Sequence, residues 1–159
     1  MPIIYWDASA LVKRYRTEAG TPVVNGLFAE RMPDEIFATC QLIGIEIESF
    51  AARVLGLAQM SRVGRGTLLR AFADDLEKLT VVPLSGRLAT EAARCVREFG
   101  LRALDAMHLA AAFQAAPIPS DLVFVTSDRA LLRATQVAGF VPLDPTRPDA
   151  RERVRELRA

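Results

Sequence analysis

The sequence predicts an α/β fold, a mostly parallel sheet covered by helices on both faces. Two observations predict it. Short apolar runs, several rich in β-branched residues, alternate along the chain with longer segments whose apolar residues recur at helical spacing. Serine, proline and glycine also stand where such helices would start and stop. The chain has 159 residues, about one domain's worth, and 51% of them are hydrophobic, enough for a real core.

The elements follow in order. Pro2 to Trp6 reads as a short buried strand, and Ser9 to Tyr15 turns helical with Leu11, Val12 and Tyr15 on one side. Gly20-Thr21-Pro22 restarts a helix, proline being well placed in a first turn. Ile36 to Ala38 is a second strand. Gln41 to Met60 is a long helix carrying Ile43, Ile47, Phe50, Val54 and Leu57 at helical spacing. Arg62 to Gly66 reads as a turn, Thr67 to Leu79 as a helix and Val81 to Leu84 as a strand. Ser85 caps a helix that runs to Phe99 and ends at Gly100. Leu104 to Ala115 is an alanine-rich helix, Leu122 to Thr126 a strand, Asp128 to Ala138 a helix and Phe140 to Leu143 a last strand.

Charge and composition narrow the function classes. The formal net charge is +1, so bulk charge does not announce a nucleic-acid binder. The distribution is uneven, however. No acid falls between Glu48 and Asp74, where Arg53, Arg62, Arg65 and Arg70 lie, and the tail carries Arg147, Arg151, Arg153, Arg155 and Arg158. Each cluster reads equally as a solvated helix face or as a phosphate-facing surface. Cys40 and Cys95 form no CxxC pair and read as core thiols of a reducing compartment. The apolar opening is cut by Asp7, which argues against a signal peptide. The longest uncharged stretch, Ala106 to Ser120, is too short to span a bilayer and is broken by Pro117 and Pro119. A soluble cytoplasmic protein is expected, with residues 1–145 as the domain and 146–159 as a charged tail.

Acids recur where strands end. Asp7 follows the first strand and Asp128 follows "LVFVTS". Asp7 admits a bland reading as a helix cap and a sharp one as a ligand-binding acid at the carboxyl edge of a parallel sheet, an edge that Asp128 shares. Glu46 in "LIGIEIESF" and Asp105 in "RALDAMHLAAA" lie in apolar helices. Asp105 suits a first turn, and a mid-helix Glu46 can reach solvent. An ionised carboxylate in apolar surroundings is costly unless paired or metal-bound. Four carboxylates without thiolates suit a hard cation such as Mg²⁺ or Mn²⁺, and the chemistry this supports is phosphodiester hydrolysis.

These residues carry a resemblance. "YWDASALVKRY", "GIEIESFAARV", "RALDAMHLAAA" and "VFVTSDRALLRATQVAGF", in that order and spacing, resemble the PIN domain family and within it the VapC-like toxin ribonucleases. The resemblance covers roughly Ile3 to Leu143. It places the family's acids on Asp7, Glu46, Asp105 and Asp128, as catalytic and metal-holding residues, and its small hydroxyls on Ser9 and Ser127. Glu48 departs from the family pattern, where an apolar residue is commoner. The resemblance implies an α/β/α sandwich around a mostly parallel sheet and a Mg²⁺-dependent endoribonuclease with Mn²⁺ as an alternative ion. It also implies an RNA substrate, a small cognate antitoxin and a homodimer. The alternative is a catalytically silent PIN-like module that binds RNA or protein. Arg53, Arg62, Arg65, Arg70 and Arg129 are the candidate RNA contacts.

Other residues draw plainer expectations. His108 reads as structural, since a lone histidine among alanines proves little. Tyr5 and Trp6 should pack in the core. Asp74, Asp75 and Glu77 should form a solvated helix face, and Asp144 a turn. A haloacid-dehalogenase-type phosphotransferase or a receiver domain would need a late lysine, and none follows Lys78. A structure-specific DNA nuclease would carry extra DNA-binding segments that this compact chain lacks.

Overall fold

The computed structural model describes residues 3–158. Pro2, expected in the first strand, and Ala159, at the end of the tail, lie outside them. Five strands form one sheet: β1 (Ile3–Trp6), β2 (Ile36–Cys40), β3 (Thr80–Val82), β4 (Leu122–Val125) and β5 (Val141–Leu143), in the order β3-β2-β1-β4-β5. Every neighbouring pair is parallel, with Ile3 in register with both Ile36 and Leu122. Alternation of side chains across the pleat divides the core. Ile4, Trp6, Phe37, Val123 and Val125 face one side, and Tyr5, Ala38, Cys40, Leu122 and Phe124 the other.

The first side is covered by α1 (Ala8–Leu11), α2 (Thr21–Ala29), α3 (Leu42–Gly56), α4 (Arg62–Leu76) and α8 (Ala150–Arg158). The second is covered by α5 (Gly86–Phe99), α6 (Ala103–Ala115) and α7 (Arg129–Val137). The result is the three-layer α/β/α sandwich. Helix α6 supplies Ala106, Ala110, Ala111 and Ala112 to the core, all fully buried. Small side chains there let the helix lie close to its neighbours. Tyr5 and Trp6 are fully buried, as expected.

The chain runs from β1 to β2 and β3 on one side of the sheet, then returns to β4 and β5 on the other. The reversal falls between β1 and β4. Loops leaving the carboxyl ends of those two strands diverge and leave a crevice, which is where open parallel sheets bind ligands.

Several local features differ from the sequence expectation. The expected turn at Arg62 to Gly66 is the first turn of α4. Ser61 caps it by accepting the Gly64 N–H at 3.0 Å, and the glycines at 64 and 66 disguise a helical segment. Helix α3 stops at Gly56 rather than Met60, because Ala58 turns into the left-handed region at φ 55° and Gln59 N–H bonds back to Val54. Strand β3 ends at Val82 rather than Leu84. Asp75 is not on a solvated face. It is 3% exposed and pairs with Arg14 and with Lys78 at 3.1 Å, while the Tyr15 hydroxyl donates to it. Burial opposes its ionisation, but the bonds from Arg14 and Lys78 outweigh burial and hold its pKa below the usual value.

Among residues 146–158, α8 packs Ala150 and Val154 into the core. Its Arg158 donates to the fully buried Glu35 carboxylate at 2.6 and 2.8 Å. Among the described residues no helix is long and apolar enough to cross a membrane.

Candidate active site

Asp7 leaves β1 in extended conformation and caps α1, accepting the Ala10 N–H at 3.0 Å. The cap leaves its carboxylate 5% exposed, beside the loop that leaves β4. Ser9 Oγ donates to Asp7 Oδ1 at 2.9 Å and Thr126 Oγ1 donates to Oδ2 at 2.9 Å. The two strand ends are then tied across: Ser127 N–H donates to Ser9 Oγ at 2.9 Å, and Asp128 N–H to Thr126 Oγ1 at 3.1 Å. Asp128 caps α7 by accepting the Leu131 N–H. The plainer reading of Asp7 as a helix cap holds, and Asp128 caps a helix in the same way. The two are joined through a single threonine hydroxyl.

Glu46 approaches from the middle of α3 and Asp105 from the first turn of α6. Burial raises the pKa of Asp105, and the neighbouring Asp128 and Glu46 raise it further against His108 and Arg102. Burial also pushes Asp7 up to about 6, opposed by His108 and by the bonds from Thr126, Ala10 and Ser9. Asp105 thus lies within electrostatic reach of Asp128 and Glu46, and Asp7 within reach of His108.

The donors match a hard divalent cation in kind, being carboxylates and hydroxyls without a thiolate. As the side chains stand, they serve one another. Asp7 is saturated by three donors, and Glu46 is taken up by His108. Among the described residues no three His, Cys, Asp or Glu side chains form a set ready to hold a metal ion.

A groove of about 520 Å³ opens beside the acids, walled in part by Ser9, Glu46 and Ser127. Arg53 stands in its wall with the buried Lys13, whose Nζ pairs with Glu18 at 2.7 Å. Of the other candidate RNA contacts, Arg129 opens α7 next to Asp128. Arg62, Arg65 and Arg70 lie on α4 away from the groove wall, where Arg65 pairs with Glu48 at 3.1 Å. That bond turns Glu48 toward α4, while Glu46 turns toward α6.

Sequence reasoning missed three residues. One is Thr126, whose hydroxyl donates to Asp7 alongside that of Ser9, while Ser127, beside Asp128, lines the groove and faces Asp144 at 3.5 Å. A polar residue ending a run of apolar strand residues was the available signal. Lys13, one of two lysines, gave only its rarity. His108 was seen and read as structural; it meets Glu46 at 2.6 Å.

A parallel α/β/α sandwich with Asp7 and Asp128 at the ends of two adjacent strands defines a class of protein, the PIN-like fold. The description of the PIN domain matches residues 4–137. The chain belongs to the PIN domain family, and its homology lies with the VapC-like toxin ribonucleases. It is 34% identical over 145 residues to ribonuclease VapC47 of Mycobacterium tuberculosis (strain CDC 1551 / Oshkosh), covering 90% of this chain and 97% of that one. Among solved structures it resembles PAE2754 of Pyrobaculum aerophilum, with a TM-score of 0.64 and 23% identity, over 99% of this chain and 90% of that one. It also resembles VapBC2 of Rickettsia felis, solved bound to a DNA fragment from its promoter, with a TM-score of 0.58 and 12% identity over 88% of this chain and 96% of that one. A toxin–antitoxin complex from Klebsiella pneumoniae matches with a TM-score of 0.56 and 13% identity, over 91% and 98%.

Proposed function

We propose that this chain is a Mg²⁺-dependent endoribonuclease, able to use Mn²⁺, and the toxin of a type II toxin–antitoxin pair. The observation that carries the reading is the tie between the strand ends that bear Asp7 and Asp128, through Thr126 and Ser9, with Asp105 in electrostatic reach of Asp128 and Glu46. Neighbouring carboxylates such as Asp105, Asp128 and Glu46 repel when ionised, which favours a cation among them. A bound divalent ion supplies charge neutralisation for phosphate and makes a water nucleophilic near neutral pH.

The chain's own residues do the rest. Ser9, Thr126 and the Ala10 N–H hold Asp7 in one orientation. Asp128 is fixed by the cap it makes on α7. Arg53 and Lys13 in the groove wall face the phosphate of an RNA strand laid in the groove, and Arg129 opens α7 next to Asp128. Exposed Ile45 and Leu104, apolar and in the same groove wall, give a small antitoxin a hold that would also cover the acids. The likeness to a named ribonuclease and to two toxin–antitoxin assemblies supports this reading. We further propose that the protein works as a cytoplasmic homodimer.

The test is incubation of the purified chain with RNA and with single-stranded DNA, in Mg²⁺, Mn²⁺ or EDTA. RNA cleavage that needs the ion and is lost in Asp105→Asn is the expected result. Cleavage that persists in EDTA would sink the reading.

A further inference from the structure

Glu46 projects from a stretch of α3 flanked by Ile45 and Ile47, and nothing on its own helix holds its carboxylate. His108 does. It is 2% exposed and stands one turn beyond Asp105 on α6, with Nε2 2.6 Å from Glu46 Oε2. Its other nitrogen, Nδ1, lies 3.0 Å from the hydroxyl of the fully buried Tyr5. A carboxylate only accepts hydrogen bonds. The ring proton facing Glu46 therefore sits on Nε2, and Nδ1 pairs with the Tyr5 hydroxyl. With both nitrogens engaged, the ring cannot turn without leaving two buried polar groups unpaired. The relay joins β1 through α6 to α3, three elements that share no other side-chain hydrogen bond at this point.

We propose that His108, oriented by Tyr5, is the positioning residue that holds the Glu46 carboxylate beside Asp105. The proposal rests on the nuclease reading above. A free glutamate side chain loses rotamer entropy on being fixed. The His108 N–H removes that cost before any ion or substrate arrives. Partners of this kind, one step behind a metal-holding carboxylate, typically change metal affinity or activity about 10–100-fold.

The experiment measures Mn²⁺ affinity by calorimetry, kcat and KM on RNA, and Tm in EDTA. The chains compared are wild type, Glu46→Gln, His108→Leu, Tyr5→Phe, and the Glu46→Gln/His108→Leu pair. His108→Leu should weaken Mn²⁺ binding by at least about tenfold and lower kcat without raising KM for RNA. Tyr5→Phe keeps the ring's packing and should weaken Mn²⁺ binding by a smaller factor. The double variant should bind Mn²⁺ no more weakly than Glu46→Gln alone, because His108 acts only through Glu46. If His108→Leu does not fold, Tyr5→Phe decides. Wild-type Mn²⁺ affinity in the folded His108→Leu chain, or in Tyr5→Phe when that chain decides, would overturn the proposal. So would a double variant about tenfold weaker than Glu46→Gln. A Glu46→Gln chain that binds Mn²⁺ like wild type would instead overturn the site reading itself, and the proposal with it.

Discussion

Asp7→Asn gives the sharpest test of the acid site, because it can be read without any substrate. Burial raises the Asp7 pKa from 3.8 to about 6. A carboxyl raised on folding binds its proton more tightly in the folded state. Its contribution to stability is therefore full below pH 3.8 and is lost as pH rises through 6. The difference of about 2 pH units corresponds to about 3 kcal/mol, of which about 2 kcal/mol falls between pH 4.5 and 8. Asparagine does not titrate and keeps the shape. Its Oδ1 can accept the Ala10 N–H and Ser9, and its amide can donate to Thr126, whose hydroxyl turns toward Ser9 3.2 Å away. In EDTA the Asn variant should therefore gain about 2 kcal/mol over wild type at pH 8 relative to pH 4.5, a relative Tm gain of ~4–8 °C for a chain of this size. Under the proposed function, Mg²⁺ at pH 8 should close much of that gap by stabilising only the wild type. Thermal melts at the two pH values, with EDTA and then with Mg²⁺, make the measurement. An equal gain at both pH values, or no gain at pH 8, would refute the reasoning.

Four further outcomes are expected. Asp75→Asn should destabilise the chain by about 2–4 kcal/mol, because it strips the anion from the buried contacts of Arg14, Lys78 and Tyr15; denaturant titration checks this, and a change within 0.5 kcal/mol (roughly the range of a neutral surface substitution) would contradict it. The same pair should weaken in acid, since a depressed pKa stabilises above the unfolded value near 3.8 and is lost as pH falls through the folded one. Arg53→Ala should weaken RNA binding and lower the salt slope by about 1, whereas Arg70→Ala, outside the groove wall, should do so less; equal effects in a binding titration would point to α4 instead. Arg158→Ala leaves the Glu35 carboxylate buried without its partner, so it should cost about 3–5 kcal/mol and speed hydrogen exchange in α8, and exchange rates unchanged from wild type would count against the docked helix.

The sequence by itself determined the sandwich and the acids. β1 and β4 are apolar through, buried on both faces, and their pattern needs only local spacing to be read. Asp7 and Asp128 were legible because each stands where an apolar strand gives way to a helical pattern. Asp105 and Glu46 were legible because a charge in an apolar helix needs a reason. What the sequence could not say is which partner each group has. Thr126 outranks Ser127 at Asp7 because the strand end turns alternate side chains in opposite directions. Asp75 looks like any surface acid until Arg14, far from it along the chain, folds over it. His108 is one histidine among alanines, and its meaning depends on Tyr5 and Glu46, which lie on two other elements. Periodicity along one element reports the face a residue occupies. Hydrogen bonds between elements depend on register and packing across the sheet, and those exist only once the chain has folded.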